Sequence, residues 1–133
     1  MHKQSLATLA LSVLLALCLA SCGGQQQTSV SADPTDKTDE LINLLAAGDF
    51  DGAVKIFDEP LQRAMTSQDL YNTWSSMTTQ LGDFERQTGV RTSTEDGATV
   101  AYATCRFQRG KVDIKLVFSN TKQVTGIEFI PVS

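Results

Sequence analysis

Histidine is all but missing from this chain of 133 residues. The single copy, His2, lies in the first three residues, and nothing from position 3 onward can supply an imidazole. A Ser-His-Asp triad, a Cys-His dyad and every histidine-containing metal site are therefore excluded from that stretch. Cysteine is almost as scarce, with Cys18, Cys22 and Cys105 the three copies. Long apolar runs are lacking too. The longest mainly apolar run, Leu6 to Leu19, covers fourteen residues, short of the roughly 20 that a spanning helix needs. Positive charge is in short supply: 11 basic against 15 acidic residues leave a net charge of −4, which argues against nucleic acid as a partner. No glycine-rich phosphate loop, zinc-ligand spacing or calcium-loop pattern is present, and no cofactor is expected.

What the chain does carry begins at its start. Met1-His2-Lys3 supplies a short positive segment, Leu6 to Leu19 an apolar one, and Ala20-Ser21 a small pair. That order is the order of a secretory signal and not of a membrane span. Leu19-Ala20-Ser21-Cys22, followed by Gly23-Gly24, resembles the lipobox of bacterial lipoproteins at all four positions. The resemblance implies that residues 1–21 are removed and that Cys22 becomes a lipid anchor, a diacylglyceryl-cysteine also acylated on its amino group. At about 0.8 kcal/mol per buried CH₂, one chain binds a membrane marginally, whereas two or more hold it stably. The expected location is the extracytoplasmic face of a bacterial membrane, with the membrane itself a partner through Cys22.

Removing 21 of 133 residues leaves 112, enough for one domain with its own core. Lys3 goes with the leader, so ten basic groups face fifteen acidic ones, a charge of −5. Cys105 is then a lone thiol without an intramolecular partner. Its alternatives are a reactive or intermolecular thiol and the commoner small buried hydrophobe of a strand interior. The expected organisation is a leader (1–21), a lipidated cysteine with a flexible linker (22–33) and a single α+β domain (34–133). Linker residues such as Gly23-Gly24-Gln25-Gln26-Gln27 behave as a random coil spanning about 18 Å over ten residues.

Asp33-Pro34 is a helix start, with an acceptor at the N-cap and proline at the first position. The helix places Leu41, Leu44 and Leu45 on one face and ends at Gly48. Asp49 caps a second, short helix with Phe50, Ala53, Val54 and Phe57 at helical spacing. Glu59-Pro60 breaks it, and Leu61 to Met65 adds one more turn. Thr66 with Asp69 forms a capping box, opening a helix whose stripe is Leu70, Trp74, Met77 and Leu81, closed by Gly82. From Phe84 the period changes to two. Strands are expected over Phe84–Thr94, Thr99–Phe107 and Val112–Phe118, followed by a fourth in which Ile127 and Phe129 face inward before Pro131 ends it.

Helices first and then hairpin-linked strands define an α+β fold, with helices on one face of a four-stranded antiparallel sheet. Gly48-Asp49-Phe50, Ala53-Val54 and Phe57, then Leu70, Trp74 and Leu81-Gly82-Asp83-Phe84, resemble a bacterial family catalogued as domain of unknown function 3887. The resemblance covers roughly residues 38–130. It implies a fold similar to nuclear transport factor two, a cystatin-like cone of helices in a curved sheet. Members of that family stand alone as exported or lipid-anchored proteins or precede α/β-hydrolase domains.

Tyr71, Trp74 and Tyr102 are candidates for lining a pocket in such a cone. The commoner role for Trp74 is a core anchor between helix and sheet. Ala101, Ala103, Cys105 and Phe107 share one strand face, where small residues either leave a cavity or admit close helix packing. Acid–base chemistry would fall to Tyr102, Asp113 and Glu128, but alternation places both carboxylates in solvent. Arg106, Arg109, Lys111 and Lys115 cluster at one hairpin, as a patch for an anionic partner or as an ordinary solvated turn. No catalytic residue is assigned. The expected function is a non-catalytic module for a protein partner or small apolar ligand. The alternatives are a cone enzyme of the isomerase or dehydratase kind and an accessory subunit of an exported hydrolase.

Overall fold

The structure, a computed structural model, describes residues 33–133. The leader, Cys22 and all of the linker but Asp33 lie outside the described residues. Four helices precede four strands: α1 (Pro34–Ala47), α2 (Phe50–Val54), α3 (Glu59–Ala64), α4 (Ser67–Leu81), β1 (Phe84–Glu95), β2 (Ala98–Phe107), β3 (Gly110–Phe118) and β4 (Val124–Val132). The strands form one antiparallel meander in the order β1-β2-β3-β4. The α+β architecture expected from the sequence is what forms.

Each helix start has a side-chain cap. Asp33 accepts from the Thr35 amide at 2.9 Å, Asp49 from Gly52 at 2.9 Å and Asp58 from Leu61 at 3.0 Å. At α4 the Thr66 and Asp69 side chains and amides exchange bonds reciprocally, satisfying donors that a helix leaves free. Gly48 closes α1 at φ +78°, a left-handed conformation that suits a residue without Cβ.

Several elements depart from the sequence pattern. Phe57 is not on α2. It makes a parallel bridge with Val124, and the Asp58 amide donates to the Val124 carbonyl at 2.9 Å. Glu59-Pro60 starts a helix where a break was expected, because Asp58 caps it and proline is tolerated in a first turn. Ile42 and Thr38, and not Leu44, complete the buried face of α1. Pro131 stands inside β4, opposite Val112, where an edge strand can spare its missing amide.

The core lies between the helices and one face of the sheet. Leu41, Ile42 and Leu45 of α1 and Leu70 and Trp74 of α4 meet Ala101, Ala103, Cys105 and Phe107 of β2 and Val112, Ile114 and Leu116 of β3. Ala101 and Ala103 are completely buried on a strand that packs against α1, so the small residues serve close helix approach. Ser31–Ser133 separates as a compact unit of its own. Among the described residues, no helix is long and apolar enough to cross a membrane.

Candidate functional site

Helix α4 is anchored through Trp74, whose ring lies 5.5 Å from both Phe84 and Phe107. That contact holds α4 over β1 and β2 and leaves a groove between its flank and the β3–β4 side. Met77, Leu81, Val112, Phe129 and Pro131 give the groove apolar walls, and Asn72, Thr73, Ser76 and Gln80 give it a polar rim. Its volume is about 500 Å³. None of these side chains is ionisable. Among the described residues no cluster of histidine, cysteine, aspartate and glutamate could hold a metal ion.

The three residues proposed to share a pocket are not brought together. Trp74 is 8% exposed, in the core. Tyr71 is 50% exposed and packs edge-on against Phe50 at 5.7 Å, beside a shallow depression that includes Asp49, Asp51 and Ser67. Tyr102 lies on the opposite, helix-free face of the sheet, with Arg91 stacked 4.5 Å from its ring centre.

That open face carries the polar chemistry. Two two-residue turns set its register, pairing Tyr102 with Arg91 on one side and Lys115 on the other, and Thr104 with Asp113. Asp113 accepts from the Thr104 hydroxyl at 2.6 Å and from Arg91 at 2.8 Å. The expectation that Asp113 is solvated is corrected: it is 8% exposed, roofed by those two partners. Burial pushes its carboxyl up, but the hydroxyl and the guanidinium outweigh it and hold the group below its ordinary value. Glu128 is exposed, as expected.

Beside it, the Tyr102 hydroxyl donates to Glu95 at 2.6 Å, and Lys115 pairs with Glu95 at 3.0 Å. The hydrogen bond from Tyr102 lowers the Glu95 pKa. The bond to Glu95 raises that of Tyr102, and likewise that of Lys115. Each group is moved away from neutrality, the reverse of what a general acid or base at pH 7 requires.

The basic hairpin is largely spent within the domain. Arg106 pairs with Glu85 at 2.9 Å, and Arg109 donates to the Thr79 and Gln80 carbonyls at 3.4 and 3.3 Å, closing the end of α4. Lys115 is held by Glu95, and of the four only Lys111 has neither an ion pair nor a side-chain hydrogen bond among the described residues. Cys105 is completely buried, and its thiol is pushed up to about 12, first by burial and then by the nearby charge of Asp113.

The sequence reading missed two things. It did not find the groove, because Asn72, Ser76 and Gln80 carry no motif and Pro131 was placed beyond the last strand. It also missed Arg91, Glu95 and Thr104 as partners of Tyr102 and Asp113, although the turn lengths hold that signal.

Residues 38–127 match the model of a family described as protein of unknown function (DUF3887). No curated protein and no solved structure matches the chain.

Proposed function

The chain belongs to the DUF3887 family, whose description assigns no activity, and we propose on that premise that it is a membrane-anchored bacterial lipoprotein with a non-catalytic binding domain. The groove beside α4 is the observation that carries the binding reading. Its volume of about 500 Å³ falls within the range of small-molecule sites, and apolar walls with a few hydrogen-bonding groups are their usual lining. With no charge to neutralise a charged ligand, it favours a small, uncharged, apolar one. The lipobox supports the anchor at Cys22 and an extracytoplasmic position. A helix layer on a four-stranded meander, with a groove between them, is consistent with a nuclear-transport-factor-two-like cone.

An isomerase or dehydratase would need polar groups converging in that groove. The polar cluster lies on the other face of the sheet, and its members are tuned away from neutral pH, so the binding module is the better-supported reading.

The test uses residues 31–133 and an uncharged apolar fluorophore, N-phenyl-1-naphthylamine. Saturable binding is expected, weakened about tenfold by Ser76→Trp, which fills the groove from its exposed rim and removes about one lost anchor's worth of contact. Absence of saturable binding, or binding indifferent to that substitution, would overturn the groove as the site. Intact-mass measurement of the protein made in a bacterium tests the anchor separately. A chain starting at Cys22 and carrying acyl mass is expected, and a bare thiol at Cys22 would refute it.

A further inference from the structure

Helix α4 shows the groove two rows of side chains, each at four-residue spacing. Thr73, Met77 and Leu81 form an inner row, half-buried, and Asn72, Ser76 and Gln80 an outer row, exposed. Thr73 is the polar member of the inner row. Other threonine hydroxyls withdrawn from solvent give their protons to the protein. Thr38 donates to the Pro34 carbonyl at 2.6 Å, Thr78 to the Ser75 carbonyl at 3.0 Å and Thr104 to Asp113 at 2.6 Å. Among the described residues the Thr73 hydroxyl makes no hydrogen bond, and its neighbours in the row are a thioether and an isobutyl group. Water can solvate a half-buried hydroxyl, but a guest filling the groove excludes that water. A hydroxyl left bare against an apolar guest is costly, so the guest must replace the lost bond.

The outer row fixes the polarity of that replacement. Asn72 Oδ1 accepts from Gln68 Nε2 at 3.0 Å, and Ser76 Oγ accepts from Gln80 Nε2 at 3.1 Å. Acceptors at both residues are thus engaged along the helix, whereas the Asn72 amide protons and the Ser76 hydroxyl proton meet no acceptor among the described residues. With Thr73 they make three donor groups within about one turn, against the Gln80 side-chain oxygen as a free acceptor at the far end. A guest offering only donors would leave all three unmatched. A carboxylate or phosphate would shed its hydration in a groove without a cation.

We propose that the groove takes a neutral carbonyl compound, an ester, ketone or tertiary amide. Its carbonyl oxygen accepts from the Thr73 hydroxyl, and its apolar body lies against Met77, Leu81, Val112 and Phe129. This assignment rests on the binding reading and deepens it, by naming the polar end that an otherwise apolar guest must carry. Thr73 is the specificity-determining residue, because it alone of the three donors stands in the half-buried row, where water competes least.

Two uncharged naphthalene fluorophores of similar size, applied to residues 31–133, provide the test. N-phenyl-1-naphthylamine carries an N–H donor and no carbonyl. Prodan, a dimethylamino-naphthalene with a propionyl group, carries a carbonyl and no donor, and its emission moves to the red when that carbonyl accepts a hydrogen bond. Thr73→Val keeps the shape of the side chain and removes the hydroxyl. It should weaken prodan about fivefold, move its bound emission to the blue and leave N-phenyl-1-naphthylamine within about twofold of the parent. Thr73→Ser retains the hydroxyl and should retain both the affinity and the emission of prodan, and thermal melts check that both variants fold. Equal weakening of the two probes by Thr73→Val, or prodan affinity and emission that ignore it, would overturn the carbonyl assignment while leaving the groove as a site. Failure of both probes to bind the parent saturably would overturn the groove itself, and this assignment with it.

Discussion

On the helix-covered side of β2, Ala101, Ala103, Cys105 and Phe107 are at most 1% exposed. On the other side of the same strand, Tyr102, Thr104 and Arg106 point at Glu95, Asp113 and Glu85. One face is dry because helices cover it, and size and apolarity are all it demands of its residues. The other has no helix, so its polar side chains satisfy one another. A shift of one residue between β2 and β3 would drive Asp113 and Lys115 into the core and turn Ile114 and Leu116 out to water. The covered face therefore supplies most of the stability, and the open face specifies the register.

The largest test of that division is Trp74→Ala. Removing the ring packed on Phe84 and Phe107 should cost about 3–5 kcal/mol, a large part of the roughly 5–15 kcal/mol of a typical domain, read as a fall in the urea midpoint. An open-face substitution of similar cost would erase the distinction. Asp113→Asn should cost less, about 1–2 kcal/mol at pH 7, because Arg91 is 59% exposed and solvent screens its charge. The sign with pH follows from a carboxyl held below its ordinary value. Its contribution is complete above the unfolded-state value near 3.9 and is lost as pH falls through the lower folded-state value. The gap between parent and variant should thus close in acid below about pH 4, and a gap unchanged at pH 3 would assign the loss to packing instead. The smallest effect concerns Cys105. With the thiol buried and pushed up to about 12, iodoacetamide at about pH 8 should leave the folded domain unmodified and label it in urea. Rapid labelling of the folded form would show that the covered face opens readily.

Much of this was legible in the chain. The caps at Asp33, Asp49 and Thr66, the Trp74 stripe and the four strands follow from local chemistry and periodicity. The open-face cluster was legible in principle. Asp96-Gly97 makes a two-residue turn with both φ values positive, 49° and 83°, the tight hairpin form. Counting back from it sets Arg91 beside Tyr102, and counting back from Gln108-Arg109 sets Thr104 beside Asp113. What periodicity hid was burial by neighbours. Alternation correctly placed Asp113 away from the helices, but it cannot reveal that Arg91 and Thr104 close over the carboxylate. The bridge of Phe57 to Val124 was equally hidden, since it joins positions 67 residues apart that share no pattern. The groove depends on where α4 rests across the sheet, a tertiary outcome that no local spacing encodes.

A recess walled by Met77, Leu81, Val112, Phe129 and Pro131 and edged by amides and hydroxyls offers nothing for salt to shield and nothing for protons to titrate. Occupancy there would be governed by how poorly water tolerates the guest, and so would be nearly the same in dilute or briny, mildly acidic or mildly alkaline surroundings. For a module at the proposed extracytoplasmic anchor, where the medium is not regulated by the cell, such indifference would let capture report the abundance of the guest alone.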